Sequence, residues 1–181
     1  MKEIFADTSY FVASVGPNDS FHARAVKWSE SWLGRIVTTE YVLVETGNML
    51  SRKSDRSIFT ELLDTVQTDS AFKIVLGSKA LFLAGIALFA SRKDKEWSVV
   101  DCISFEVMKR RRLHDALTAD HHFQQAGFRA ANPTNPERHC TTANTDPTAI
   151  SRGRIPGTLS GPITSLTIVP LRPAGADSPA D

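Results

Sequence analysis

The chain has 181 residues, room for one domain of ordinary size and a short extension. With 41% hydrophobic and 23% charged residues it can bury a real core, and its net charge of +1 excludes a polybasic, histone-like protein. Two cysteines, Cys102 and Cys140, are too few for a disulfide framework and lack zinc-site spacing, so a reducing, cytoplasmic setting is expected. The N-terminus meets charge at Lys2 and Glu3 and has no apolar signal core. The longest apolar run, residues 80–90, is about half of what a membrane span needs, so no membrane association is expected and the run reads as a buried helix.

Residues 4–6 read as a first strand that ends at Asp7-Thr8-Ser9. Ser20 caps a predicted helix through Leu33, with Gly34 as its stop signal. A second brief strand at Ile36-Val37 precedes helices over residues 40–51 and 55–68. Residues 72–76 form a third strand, and Ser78 opens the apolar helix. Ser98-x-x-Asp101 has the form of a capping box at the start of a helix reaching about Arg112. Residues 116–118 are a strand, Asp120 begins a short helix, and Gly127 ends it before a last extended piece at 128–130. Strands alternating with helices at this spacing predict an α/β fold around a mainly parallel sheet. The composition changes near Pro133: of the 48 residues 134–181, 23 are Pro, Gly, Ser or Thr and none is Phe, Trp, Tyr or Met. Such a segment cannot bury enough apolar surface to offset its ordering entropy. The expected organisation is therefore a folded domain at 1–133 and a disordered tail at 134–181.

Four acids have apolar neighbours. Asp7 and Asp120 lie just past the carboxyl ends of predicted strands, where open α/β sheets bind ligands. Glu45 shares a helical stripe with Val42 and Met49, and Asp101 lies on the inward face of its helix with Phe105 and Met108. Each has a structural reading as well: Asp7, Asp101 and Asp120 serve as caps, whereas a mid-helix Glu45 needs a partner to offset desolvation. Together, four carboxylates at one sheet edge repel one another unless a cation compensates. Oxygen ligands of this kind favour Mg²⁺ or Mn²⁺, ions that activate water and stabilise charge developing on a phosphodiester. Other side chains read as structural: Cys102 as a small core residue, Trp28, Trp32 and Trp97 as packing, and His121 and His122 as surface imidazoles. The Lys109-Arg110-Arg111-Arg112 run is either an RNA phosphate contact or a solvated helix end.

Phe5-Ala6-Asp7-Thr8-Ser9, Val44-Glu45, Ser98-Val99-Val100-Asp101 and Leu117-Thr118-Ala119-Asp120-His121-His122-Phe123, followed by Gly127-Phe128, resemble the PIN domain. They are most similar to its VapC-type ribonuclease toxins and free-standing relatives. The resemblance covers nearly all of residues 1–132 in order. It implies a three-layer α/β/α sandwich and a Mg²⁺ or Mn²⁺ site, with Asp7, Glu45, Asp101 and Asp120 as the acidic quartet that binds metal and catalyses. Thr8 or Ser9 matches the hydroxyl beside the first acid, and Ser98 the small polar residue before the third. The implied function is a metal-dependent endoribonuclease, the toxin of a toxin–antitoxin pair, with RNA as substrate, a small antitoxin as partner and a homodimer as the assembly. Trp28, Trp32, Phe59 and Leu62 are the apolar surface expected to serve that dimer. The alternative is a non-catalytic RNA- or protein-binding module that keeps the acids. A phosphatase would want an Asp-x-Asp motif and a dinucleotide-binding domain a G-x-G-x-x-G, and neither stands after the first strand.

Overall fold

The structure is a computed structural model that describes residues 2–131. Five strands, β1 (Glu3–Ala6), β2 (Arg35–Thr39), β3 (Phe72–Val75), β4 (Asp115–Leu117) and β5 (Arg129–Ala130), form one sheet in the order β3-β2-β1-β4-β5. Every pairing is parallel; Phe5 stands between Val37 on β2 and Ala116 on β4. A parallel sheet needs both faces covered. Seven helices do this: α1 (Thr8–Val15), α2 (His22–Ser31), α3 (Glu40–Met49), α4 (Arg56–Thr68), α5 (Lys79–Ser91), α6 (Val99–Arg111) and α7 (His122–Gln125). The result is the three-layer α/β/α sandwich. Phe5, Ile36, Val37, Phe105, Met108 and Phe123 are among its fully buried side chains. Among the described residues no helix is long and apolar enough to cross a membrane. The expectation for residues 134–181 lies outside the described residues.

Several expectations change on folding. The first strand does end before Asp7, but a helix absent from the sequence expectations follows it: Asp7 caps α1, its carboxylate accepting from Ser9 N, and the apolar Tyr10, Phe11, Ala13 and Val15 are buried. Ser20 does not cap α2, which begins at His22 after a turn in which Asp19 accepts from Phe21 N. Gly34 is a close-approach residue more than a stop signal, since a Cβ there would lie 2.5 Å from the Lys2 carbonyl and 2.6 Å from the Trp32 ring. Trp28 and Leu62 are core residues and not spare surface. Trp97 and Cys102 are buried as expected. The 80–90 run is a helix capped by Ser78, but it is not buried. Among the described residues Leu81 and Gly85 of α5 are buried and Leu88 packs partly against the core, leaving Phe82, Leu83 and Phe89 43%, 53% and 47% exposed.

Candidate active site

The carboxyl edge of the parallel sheet gathers the acids from four different elements. Asp7 follows β1, Glu45 projects from α3, Asp101 stands in the first turn of α6, and Asp120 follows β4 before α7. Backbone register sets the first of these: Asp7 N donates to the Leu117 carbonyl, tying the end of β1 to the end of β4. Thr38 reinforces the same edge by donating to the Ala6 carbonyl at 3.0 Å.

Asp7 is buried, and hydroxyls surround it. Its Oδ2 accepts from Ser9 Oγ and Thr118 Oγ1, each at 3.1 Å. Burial, reinforced by the nearby Asp101 charge, lifts the Asp7 carboxyl from 3.8 to about 6, against the lowering effect of the Thr8 backbone, Thr118 and Ser9 hydrogen bonds. Thr118 also accepts from Asp120 N at 2.9 Å, so one hydroxyl bridges the first and fourth acids. Thr118 went unremarked in the sequence; its place one residue past a strand end, between two acids, is the signal that could have found it.

Glu45 is half-buried, and Thr8 Oγ1 donates to its Oε2 at 2.5 Å. That hydroxyl is the partner the sequence could not supply. The apolar stripe expected through Val42, Glu45 and Met49 is not the buried face of α3: Val42, Leu43 and Thr46 are buried, while Met49 is exposed. The two alternatives for the hydroxyl beside the first acid both operate, Thr8 on Glu45 and Ser9 on Asp7.

Asp101 caps its helix and lies close to Asp7. Ser98 Oγ accepts from Asp101 N at 3.0 Å and Asp101 Oδ2 accepts from Ser98 N at 2.7 Å, a complete capping box. The same carboxylate is buried against the cluster and raises Asp7 electrostatically. The capping box fixes the side chain that the cluster uses.

His122 is the main correction. His121 is indeed exposed, its side chain at 70%, but that of His122 is only 16% exposed. Its Nδ1 lies 3.3 Å from Asp101 Oδ2 and 3.2 Å from Asp120 Oδ2. It forms a well-aligned hydrogen bond with neither, and is a buried polar atom left without such a partner. The neighbouring Phe123 explains the position: its ring is fully buried against Phe5 and Phe105, which pins α7 to the core and turns His122 toward the acids. Asp120, His121 and His122 offer ligand atoms within 4.8 Å of one another.

The basic run does not belong to the site. Lys109 and Arg110 pair with Glu106, and Arg111 holds Glu3 at the start of β1 with contacts of 2.8 and 3.0 Å. Asp101 and Arg111 are at opposite ends of α6, about 15 Å apart along its axis.

The donor set fits a divalent cation. Buried carboxylates on separate elements, one of them carrying an elevated pKa through burial and its neighbour's charge, are the arrangement a hard ion relieves. The orphaned His122 nitrogen lies in the same cluster.

The sequence profile of the PIN domain matches residues 4–129. The chain belongs to the PIN domain family. Among curated relatives, the 23S rRNA-specific endonuclease VapC20 of Mycobacterium tuberculosis, from two strains, is 25% identical over 130 residues, covering 72% of this chain and 98% of the relative. The crystal structure of VapC20, described as a Sarcin-Ricin loop cleaving toxin, superimposes with a TM-score of 0.67 and covers 72% of this chain and 99% of its own. FitAcB from Neisseria gonorrhoeae, at 18% identity and a TM-score of 0.54, shares the fold over 73% of this chain and 99% of its own.

Proposed function

We propose that this protein is a metal-dependent endoribonuclease that hydrolyses RNA phosphodiester bonds, with Asp7, Glu45, Asp101 and Asp120 as its catalytic and metal-binding residues. The observation that carries the reading is that four acids from four elements stand at one sheet edge, with Thr8 bonded to Glu45, Thr118 bridging Asp7 and Asp120, and His122 beside Asp101 and Asp120. Family membership and the likeness to an rRNA endonuclease support it.

Asp7, Glu45 and Asp101 would hold a Mg²⁺ or Mn²⁺ ion, with Asp120 binding directly or through water. When bound, that ion supplies Lewis-acid stabilisation of charge on the phosphodiester and a more acidic water. The chain's own residues do the rest. Ser9 and Thr118 lock the Asp7 carboxylate, Thr8 orients Glu45, and Ser98 fixes the rotamer of Asp101. Asp120, more open than Asp7 and Asp101, would orient the attacking water. Positioning of this kind lowers the barrier because the geometry is set before the substrate binds.

Two partner readings follow. A small antitoxin silences the site, and an arginine or lysine reaching the carboxylates is the device that suits a cleft of negative charge. The chain pairs as a homodimer, and α5 supplies the apolar face: Phe82, Leu83 and Phe89 are exposed together on one helix.

The test is cleavage of 23S rRNA and of unrelated structured and single-stranded RNAs by metal-stripped protein, with and without Mn²⁺ or Mg²⁺. Asp101→Asn, prepared identically, excludes a contaminating nuclease. Metal-dependent cleavage absent in the variant is the expected result. RNA binding without cleavage by the wild type would leave a binding module instead.

A further inference from the structure

Among the described residues the cluster contains one buried nitrogen donor that the acidic quartet does not account for. His122 Nδ1 is buried, lies 3.3 and 3.2 Å from carboxylate oxygens of Asp101 and Asp120, and is aligned for a hydrogen bond to neither. Neighbouring ligands on an octahedral ion with bonds of about 2.1–2.2 Å are themselves about 3.0–3.1 Å apart. Both nitrogen–oxygen separations are therefore close to that of adjacent vertices around one ion. A cation taken up against either carboxylate has the imidazole at the next vertex. The backbone that carries the ring is held in place: Phe123, next in the chain, is buried against Phe5 and Phe105, and the His122 backbone N–H donates to Asp120 Oδ1 at 2.9 Å.

We infer that His122 is a metal ligand through Nδ1, making this a mixed nitrogen–oxygen site that selects Mn²⁺ over Mg²⁺. The chemistry is that of the donor: imidazole suits transition ions, whereas Mg²⁺ keeps to oxygen and water. His121, exposed beside it, has no such enclosure and is not part of the inference. The inference rests on the metal-dependent reading proposed above, and its test separates the two.

The experiment is electron spin-echo envelope modulation of Mn²⁺ bound to the full chain, which detects a directly bonded ¹⁴N. The wild type and His121→Ala are expected to give the ¹⁴N modulation. His122→Asp, which replaces the nitrogen by a carboxylate and keeps an ion-binding side chain, is expected to bind Mn²⁺ without it. Calorimetric titration with each ion should show the preference for Mn²⁺ over Mg²⁺ falling about tenfold or more in His122→Asp. Circular dichroism of the metal-free variant checks that it is folded, and the pair of variants assigns the nitrogen to one of the two imidazoles. Mn²⁺ bound in the wild type with no ¹⁴N modulation overturns the inference and leaves the metal-dependent reading standing. A modulation lost in His121→Ala but kept in His122→Asp assigns the nitrogen to His121 and also overturns it. No Mn²⁺ binding by the wild type overturns both.

Discussion

Replacing Asp7 by asparagine separates the electrostatic cost of the acid from its structural role. In the metal-free protein the Asp7 carboxyl ionises near pH 6 in place of 3.8, mainly because it is buried and secondly because Asp101 lies nearby. The folded state therefore holds a proton that the unfolded chain has already released, and stability falls as pH rises from about 4 to about 6. The full difference amounts to about 3 kcal/mol above that window. Asparagine removes this cost and remains a good helix N-cap for α1. It weakens the hydrogen bonds from Ser9 and Thr118, a loss of about 1 kcal/mol. In EDTA at pH 8, Asp7→Asn should therefore be about 2 kcal/mol more stable than the wild type, with a midpoint about 4–8 °C higher. At pH 4 the advantage should vanish. Urea unfolding at both pH values is the assay. A variant less stable than the wild type at pH 8, or shifted equally at pH 4 and pH 8, would refute the reasoning. With Mn²⁺ at a hundred times its dissociation constant, the wild type should gain about 3 kcal/mol and the variant much less.

Thr8→Val should leave the fold within about 1–2 kcal/mol of the wild type, since one partly buried hydrogen bond is lost. RNA cleavage and metal affinity should nevertheless fall about 10–100-fold, because Glu45 loses the group that orients it. Gly85→Ala places a Cβ 2.3 Å from Ile103 Cγ1 and 3.2 Å from the Ile103 backbone, so overpacking of about 1–3 kcal/mol should outweigh a helix-propensity gain of about 1 kcal/mol. Chemical denaturation measures it, and a more stable variant would contradict the close approach of α5 and α6. Leu83→Asp on the exposed face of α5 should halve the mass seen by light scattering to the 19.9 kDa of one chain, and a wild type already at that mass would dispose of the dimer. Deleting residues 134–181 should alter neither the midpoint nor cleavage, measured side by side with the full chain, because the quartet and the core lie in residues 2–131.

The alternation of strands and helices was legible because each strand is a short apolar run bounded by turn residues and α3, α5 and α6 each open on a capping side chain. Ser78 and the Ser98–Asp101 box were both read correctly from sequence. α1 was not, because Thr8-Ser9-Tyr10-Phe11-Val12 is rich in β-branched and aromatic residues, and the deciding factor is the Asp7 cap and burial against α2 and α3. Local pattern cannot say which side of an all-apolar helix faces the core, so α5 read as buried. Of the site, the four acids were legible as carboxylates in apolar settings. The roles of Thr118 and His122 were not, since the first arises from the parallel pairing of β1 with β4 and the second from Phe123 anchoring α7.

That Asp7 and Asp101 each begin a helix has an evolutionary consequence. Selection for folding and selection for chemistry act on these two positions together, so a descendant that has lost the chemistry still gains from keeping both. Their presence in a sequence therefore says little about whether it retains activity. Asp120 is partly in the same position, since its carboxylate holds the His122 backbone N–H. Glu45 differs: it sits in the middle of α3, caps nothing, and is held by Thr8 alone among the hydrogen bonds of the described residues. Once the chemistry is gone, a half-buried carboxylate there is only a desolvation burden, and drift should replace it first. In a set of paralogues, position 45 is where loss of function becomes visible.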